Sequence, residues 1–229
     1  MTRRYILEIS VESVEAALAA ERGGADRIEL CSNLREGGTT PDAELLRGVR
    51  ERARVPVFAM IRPRGGDFLY SDGEFAAMRG SIDAARGLGL DGFVLGLLDA
   101  EGRVDVGRTR ELVEWAAPLP VTFHRAFDAC VDLRAGLEDV IRTGANRLLT
   151  SGGKATAPEA FPILGELVRS AGERIVVMPG SGLNAGNIGE AVERTGAREF
   201  HAGLSSVVAE DAGGEAFEAE VRRLVEAVD

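Results

Sequence analysis

The chain has 229 residues, 45% of them hydrophobic and 28% charged, a composition typical of a water-soluble globular protein. Its net charge of −10 argues against nucleic acid as the main partner, because duplex binding requires a basic surface. No apolar run is long enough to cross a bilayer, and the start MTRRYILEIS does not resemble a secretory signal, so we expect a cytoplasmic protein without a membrane partner. The cysteines, Cys31 and Cys130, lie far apart in sequence, which indicates neither a disulfide framework nor a zinc knuckle.

Strand-like and helical patterns alternate from the start of the chain. The first strand, YILEIS, precedes a helix in VESVEAALAAERGG, for which we expect Ser10 as the N-cap and Gly23-Gly24 as the stop. The second strand, DRIELC, leads through the loop SNLREGGTTPD to a helix in ELLRGVRERA, and Pro41 suits the first turn of that helix. The third unit consists of the strand VPVFAMIR, the loop PRGGDFLYSDG and the helix EFAAMRGSIDAARGLG.

The same alternation continues to the end of the chain. The remaining strand-like runs are DGFVLGLL, PVTFHRAF, NRLLTSG, RIVVMPGSG and REFHAGL. The helical stretches are 107–116, 132–143, 158–171, 184–195 and the final EAFEAEVRRLVEAV. Eight such units without a linker predict a single α/β domain over residues 1–229, a (β/α)₈ TIM barrel. An open doubly wound sheet is the alternative, but it would want a glycine-rich turn after its first strand, where Ser10-Val11-Glu12 stands.

Polar side chains recur where these strands end, although strands buried on both faces should be nearly continuous in Val, Ile and Leu. The polar positions are Glu8, Glu29, Arg62, His124, Arg125, Thr150, Ser151, Gly180 to Gly182 and His201. In a barrel the carboxyl ends of the strands form the ligand face. The sequence therefore predicts one shared polar site at that end.

The alternation of side chains along a strand predicts which of these groups share a face. Glu29 and Cys31 should point the same way, whereas His124 and Arg125 should point in opposite directions, and we expect His124 to be the inward residue. The inward residues are the ones that reach a ligand inside the barrel mouth.

Two carboxylates on neighbouring strands, Glu8 and Glu29, would repel each other if both were ionised. Arg62 on the next strand is the cation that we expect to balance them. His124 and His201 titrate near neutral pH and are candidates for moving a proton. A buried ion network that only holds the barrel layers in register is the alternative.

Glycine-rich loops beside basic residues favour a small anionic ligand. Gly180-Ser181-Gly182, ahead of a helix that starts at Asn187, resembles a cradle of backbone N–H groups for phosphate, with a plain tight turn as the alternative. Arg62 and Arg64 lie beside glycines that let a carboxylate or phosphate approach. Ser151, in the segment SGGK, adds a polar group without the spacing of a P-loop.

The motifs ELCSNLREGGTTPD, MIRPRGGDFLYS, DGFVLGLLDAEGRVD, TFHRAFD, LLTSGG, PGSGLNAGNI and TGAREFH, in this order, resemble the CutC copper homeostasis family over roughly residues 5 to 204. The resemblance implies a cytoplasmic (β/α)₈ barrel, usually homo-oligomeric, that is associated with copper handling and Cu(I) binding. The positions that match the family's polar motif are Glu8, Glu29, Asn33, Arg62, His124, Arg125, Asp128 and His201, with Cys31 as its thiol. Thr39 and Asp42 differ from the Leu and Ser expected of the family, and Cys130 matches no motif position.

The sequence supports two main functional hypotheses. The first is a copper homeostasis protein that binds Cu(I) through Cys31, with His or Met as further ligands. The alternative is an enzyme that acts on a small phosphate- or carboxylate-bearing substrate by acid/base chemistry at the barrel mouth. A polar mouth without present activity is a third possibility. The exposed helix at 107–116 is a candidate interface between copies, with a packing role for Trp115 as the alternative.

These hypotheses assign residues to three roles. The catalytic candidates are Glu8, Glu29, Arg62, His124, Arg125, Asp128 and His201. The ligand-binding candidates are Asn33, Arg64, Ser151, Gly180, Ser181 and Gly182. The metal candidate is Cys31.

Overall fold

Eight parallel strands and eight α-helices alternate in the computed structural model, which describes residues 5–204 and 213–228. The strands are β1 Ile6–Val11, β2 Arg27–Leu30, β3 Val57–Met60, β4 Gly92–Leu95, β5 Val121–Phe123, β6 Arg147–Thr150, β7 Val176–Pro179 and β8 Glu199–Gly203. The helices are α1 Val14–Gly23, α2 Ala43–Arg50, α3 Asp72–Gly87, α4 Val106–Ala116, α5 Leu133–Thr143, α6 Phe161–Ala171, α7 Ile188–Thr195 and α8 Gly213–Val228. The alternation predicted from the sequence is confirmed.

The strands form one sheet that curves round to meet itself. Their hydrogen-bonded order is β7-β6-β5-β4-β3-β2-β1-β8. Glu8 on β1 lies opposite Arg27 on β2 and, on its other side, opposite His201 on β8. β7 and β8 are also in contact, which brings the two edges of the sheet together. The architecture is therefore the (β/α)₈ barrel and not an open doubly wound sheet.

The hydrophobic core lies mainly between the sheet and the helices. Leu7 and Ile9 point outward into this core, whereas Glu8 between them points into the barrel, as period-two alternation requires. Helix α8 packs on α1 so closely that a Cβ at Gly23 would lie 2.6 Å from the Cβ of Val221. Only glycine permits that approach.

Two predicted helix starts are wrong by a few residues. Ser10 lies within β1, and the N-cap of α1 is Ser13, whose hydroxyl accepts from the N–H of Ala16 at 3.1 Å. Pro41 precedes the cap of α2, and Asp42 provides that cap by accepting from Leu45 N at 2.8 Å. In both cases a capping side chain nearer to the helix satisfies the free backbone donors of the first turn.

On the outer surface, Trp115 of α4 is 39% exposed. Its indole Nε1 donates to Asp83 on α3 at 3.0 Å, and the guanidinium of Arg79 lies 4.1 Å from its ring centroid. Trp115 thus packs at the contact between α3 and α4 while keeping an exposed face. Assembly into a homo-oligomer stays a prediction.

Among the described residues, no helix combines the length and apolar character needed to span a membrane.

Candidate functional site

The floor of the barrel interior is an ion network around Arg27, which is 4% exposed. Arg27 donates through Nε to Glu8 and through Nη2 to Glu199 Oε2 at 2.7 Å. Arg147 on β6 donates to the same oxygen of Glu199 at 2.8 Å. The cation that balances Glu8 is therefore Arg27 and not Arg62, because Arg27 lies directly opposite Glu8 in the β1–β2 register.

His201 connects this floor to the pocket above it. Its Nδ1 lies 2.8 Å from Glu8 Oε1, and its Nε2 lies 3.7 Å from Glu29 Oε2. Burial alone would raise the pKa of Glu8, but the charges of Arg27 and His201 outweigh it and lower the pKa to about 2. Burial alone would lower the pKa of His201, but Glu29 and Glu8 raise it above its usual value. Glu8 is therefore ionised at neutral pH and holds the imidazole in a fixed orientation.

Glu29 and Cys31 share one face of β2, as predicted. The Cys31 thiol donates to Glu29 Oε2 at 3.5 Å, and Glu29 Oε1 is buried without a hydrogen-bond partner. Burial raises the pKa of Glu29, Glu8 adds to the rise, and His201 opposes it. Burial, followed by the charge of Glu29, raises the pKa of Cys31 well above the usual value of a thiol. The thiol is therefore protonated at neutral pH.

Arg62 follows β3 and is 3% exposed. Its Nη1 donates to the carbonyls of Glu36 and Gly38 at 2.8 and 2.9 Å, and its Nη2 donates to the carbonyl of Gly66 at 2.9 Å. The ring of Phe68 lies 4.9 Å from the guanidinium carbon. Among the described residues, no carboxylate pairs with Arg62, and its buried Nε has no acceptor. Arg62 thus fixes two loops while its positive charge stays uncompensated.

His124 is buried with one ring nitrogen unpaired. Its Nδ1 accepts from the N–H of Ala126 at 3.2 Å, so the proton of the neutral ring belongs on Nε2, which has no acceptor. Burial, followed by the charge of Arg62, lowers the pKa of His124 to about 3. The ring packs against Phe68 with centroids 5.2 Å apart, and a Cβ at Gly96 would approach its Nδ1 to 2.6 Å. At neutral pH, His124 is a fixed hydrogen-bond donor.

Asp128 organises the loop that follows β6. Its carboxylate accepts from Arg125 Nε at 2.8 Å, from Ser151 N and Gly153 N at 3.0 Å each, and from the hydroxyls of Ser151 and Thr150. Five donors leave this carboxylate satisfied by the protein itself. Asp128 is therefore suited to positioning Arg125 at the pocket and not to proton transfer.

Three ligand-binding candidates are engaged elsewhere. The Asn33 amide donates to Thr39 at 2.9 Å, and Arg64 donates to Glu74 at 2.6 Å on the far side of its loop. The N–H of Gly180 donates to the backbone of β6 at 3.0 Å and is not available to a ligand. A tight turn, the alternative considered for the glycine loop, accounts for this residue.

The carboxyl ends of the strands enclose a pocket of about 570 Å³. The candidates that line it are Glu29, Arg62, His124, Arg125, Asp128, Ser181, Gly182 and His201. The candidates that do not line it are Glu8, Cys31, Asn33, Arg64, Ser151 and Gly180. The lining residues that the sequence did not single out as site residues include Leu34, Glu36, Phe68, Leu149, Gly153 and Lys154. The most informative omission is Arg27 below the pocket, which alternation places on the same face of β2 as Glu29 and Cys31.

Taken together, these features define a (β/α)₈ barrel whose ligand face is a buried carboxylate–imidazole cluster beside uncompensated positive charge. Sequence similarity identifies its family. Residues 5–206 match the model of the CutC family. A human protein named copper homeostasis protein cutC homolog is 49% identical over 202 residues, which is 88% of this chain and 74% of that protein. A family protein CutC of Chromobacterium violaceum is 52% identical over 204 residues, which is 89% of this chain and 83% of that protein. The chain belongs to the CutC family.

The solved structures agree with this fold. The putative copper homeostasis protein CutC of Streptococcus agalactiae is 30% identical, with a TM-score of 0.82 over 86% of this chain and 98% of that one. A phosphoribosyl anthranilate isomerase of Thermotoga maritima is 14% identical with a TM-score of 0.67, and 98% of each chain is covered. The second likeness is one of fold alone.

Proposed function

We propose that this chain is a cytoplasmic copper homeostasis protein whose molecular activity is to bind and convert a small anionic ligand in the barrel pocket. The names of the human and mouse relatives, copper homeostasis protein cutC homolog, support the first part. The geometry of the pocket supports the second part. Cytoplasmic location and assembly into a homo-oligomer rest on the family resemblance.

The proposal of an anionic ligand rests on one observation. Two residues that line the pocket each have a buried hydrogen-bond donor without an acceptor. These donors are Arg62 Nε and His124 Nε2. A buried donor left unpaired costs about 1–3 kcal/mol. A carboxylate or phosphate offers acceptor oxygens to both and neutralises the charge of Arg62, which a neutral ligand does not. Lys154 also lines the pocket and adds positive charge, whereas the charge of Arg125 is balanced by Asp128.

The same pocket places a proton-exchanging cluster beside the anion site. Glu29 and His201 line it, and both have raised pKa values: burial raises that of Glu29, and the charges of Glu29 and Glu8 raise that of His201 against the effect of burial. A ligand held by its anionic group at Arg62 would present its remaining atoms to this cluster. The reaction class that fits is acid/base chemistry on a small anionic metabolite.

Binding of inorganic phosphate and of small carboxylates, measured by calorimetry and thermal shift, tests this proposal. His124→Phe keeps a ring of similar shape but removes the donor, and we expect about a 10- to 100-fold loss of affinity for the anion that binds. Arg64→Gln is the control, because Arg64 lies two residues after Arg62 but donates to Glu74 and does not line the pocket. Equal affinity for the anion in His124→Phe and in the unaltered protein would contradict the proposed anion site.

Cu(I) binding at Cys31 is the second candidate function. A Cβ at Gly38 would lie 3.0 Å from Cys31 Sγ and 3.3 Å from Met60 Cε, so one thiol and one thioether side chain adjoin the same spot. Sulfur ligands suit Cu(I). Against this, Cys31 is fully buried, its thiol is bonded to Glu29, and its raised pKa opposes the thiolate that the metal requires.

A Cu(I) titration under reducing conditions tests this candidate. One equivalent of Cu(I) bound in the unaltered chain, and none in Cys31→Ser, would support it. Cys130→Ser is the matched control, because Cys130 lies beside Gly136 of α5 and does not line the pocket. Cu(I) that remains bound in Cys31→Ser would contradict the candidate.

A further inference from the structure

We infer that Glu29 and His201 form a binding site for a divalent ion of the Zn²⁺ class, with Glu8 as the residue that orients His201. The ligand atoms of Glu8, Glu29 and His201 all lie within 4.8 Å of one another. The site uses nitrogen and oxygen donors and is separate in chemistry from the sulfur pair considered for Cu(I).

The orientation of His201 is the arrangement that a metal-bound histidine requires. Its Nδ1 lies 2.8 Å from Glu8 Oε1, so the ring donates its Nδ1 proton to that carboxylate, and a metal ion bound at Nε2 would displace any proton there. The carboxylate of Glu8 is held in turn by Arg27 from the opposite side. Nε2 therefore points away from the floor, towards Glu29.

The spacing of the two ligands fits an ion between them. His201 Nε2 and Glu29 Oε2 are 3.7 Å apart, which is too long for a hydrogen bond. Two ligands bound at about 2.1 Å to a tetrahedral ion lie about 3.4 Å apart, so a shift of a few tenths of an ångström would complete the geometry.

An independent observation is the second oxygen of Glu29. Glu29 is 3% exposed, and its Oε1 is buried without any hydrogen-bond partner. A buried carboxylate oxygen without a donor is costly, and a cation satisfies it. Glu29 and His201 both line the pocket, which leaves the remaining coordination positions open to water or to a ligand.

The ion would lie in the same pocket as the anion site. Glu29 and His201 line this pocket together with Arg62 and His124. A bound cation would also coordinate an oxygen of an anionic ligand, so this part of the inference rests on the function proposed above, whereas ion binding by itself does not.

Metal-stripped protein titrated with Zn²⁺ against a chromophoric chelator tests the inference. We expect about one Zn²⁺ per chain in the unaltered protein and in the control variant Cys130→Ser, because Cys130 does not line the pocket. We expect a loss of about 10- to 100-fold in affinity for Glu8→Gln, the size typical of a partner that orients a metal-bound histidine. Glu29→Gln and His201→Phe should lose more Zn²⁺ affinity than Glu8→Gln does. Circular dichroism identifies any variant that is unfolded.

A second readout uses Co²⁺, whose visible absorption reports the coordination of the ion. We expect a tetrahedral spectrum in the unaltered protein that is lost in Glu29→Gln. The absence of stoichiometric Zn²⁺ binding in the unaltered protein, or equal affinity in folded Glu29→Gln, would overturn the inference. Phosphate binding to the metal-free protein is measured separately, so failure of the ion site and failure of the anion site are distinguishable.

Discussion

Replacement of Arg27 by Met is expected to destabilise the barrel through Glu8. The side chains of Arg27 and Glu8 are 5% and 0% exposed, so water does not replace the lost ion pair. Removal of one partner of a buried pair costs about 3–5 kcal/mol, because the other charge loses its counter-charge, and Glu8 would keep only the imidazole of His201 at 2.8 Å. Glu199 keeps Arg147 at 2.8 Å, so one carboxylate, that of Glu8, loses its guanidinium partner. For a domain of this size, such a loss lowers the Tm by about 6–20 °C.

Urea unfolding followed by circular dichroism measures this effect as a function of pH. In the unaltered protein the pKa of Glu8 is about 2 when folded against 4.5 in the unfolded chain, so its contribution is complete above pH 4.5 and is lost as the pH falls towards 2. Without Arg27 the folded pKa rises, and protonation relieves the buried charge. The difference between the proteins should therefore shrink as the pH falls from 7 to 4, and Glu8→Gln added to Arg27→Met should restore part of the stability. A loss below about 1 kcal/mol at pH 7, or one that does not change with pH, would refute this reasoning.

Three further predictions concern the groups around the pocket. The pKa of His124 is about 3 in the folded protein against 6.5 in the unfolded chain, so its contribution to the free energy of unfolding is complete above pH 6.5 and is lost as the pH falls towards 3. The urea midpoint of the unaltered protein should therefore fall more steeply over this pH range than that of His124→Phe. Equal slopes in the two proteins would contradict this prediction. Asp128→Asn should cost about 2–3 kcal/mol in urea unfolding, because its carboxylate accepts from five donors, whereas an unchanged midpoint would show that they find other partners. Gly96→Ala should displace the His124 ring and weaken phosphate binding about tenfold, whereas Gly80→Ala, which meets open space in α3, should bind normally; equal affinity in both variants would count against the ring position.

The barrel and the faces of its strands could be predicted from the sequence because both follow from periodic patterns. Alternation along β2 predicted that Glu29 and Cys31 share a face, and the 3.5 Å contact between them confirms it. The polar groups at the ends of different strands were expected to meet, and the pocket brings Glu29, His124 and His201 to its lining. Backbone geometry alone fixes these positions.

The partners of long side chains could not be predicted in this way. Arg62 was expected to balance the glutamates, but its guanidinium reaches back to loop carbonyls, and Arg27 serves Glu8 instead. Arg64, only two residues further along, turns away to Glu74. An arginine side chain spans enough distance to meet several partners, and the choice depends on loop conformations that carry no periodic signal.

A crystal structure of the metal-free protein grown with inorganic phosphate would show whether the pocket binds an anion. We expect a phosphate oxygen within hydrogen-bond distance of both Arg62 Nε and His124 Nε2, the two buried donors that lack an acceptor. Water at both atoms, unchanged as the phosphate concentration is raised, would contradict an anion site in this pocket.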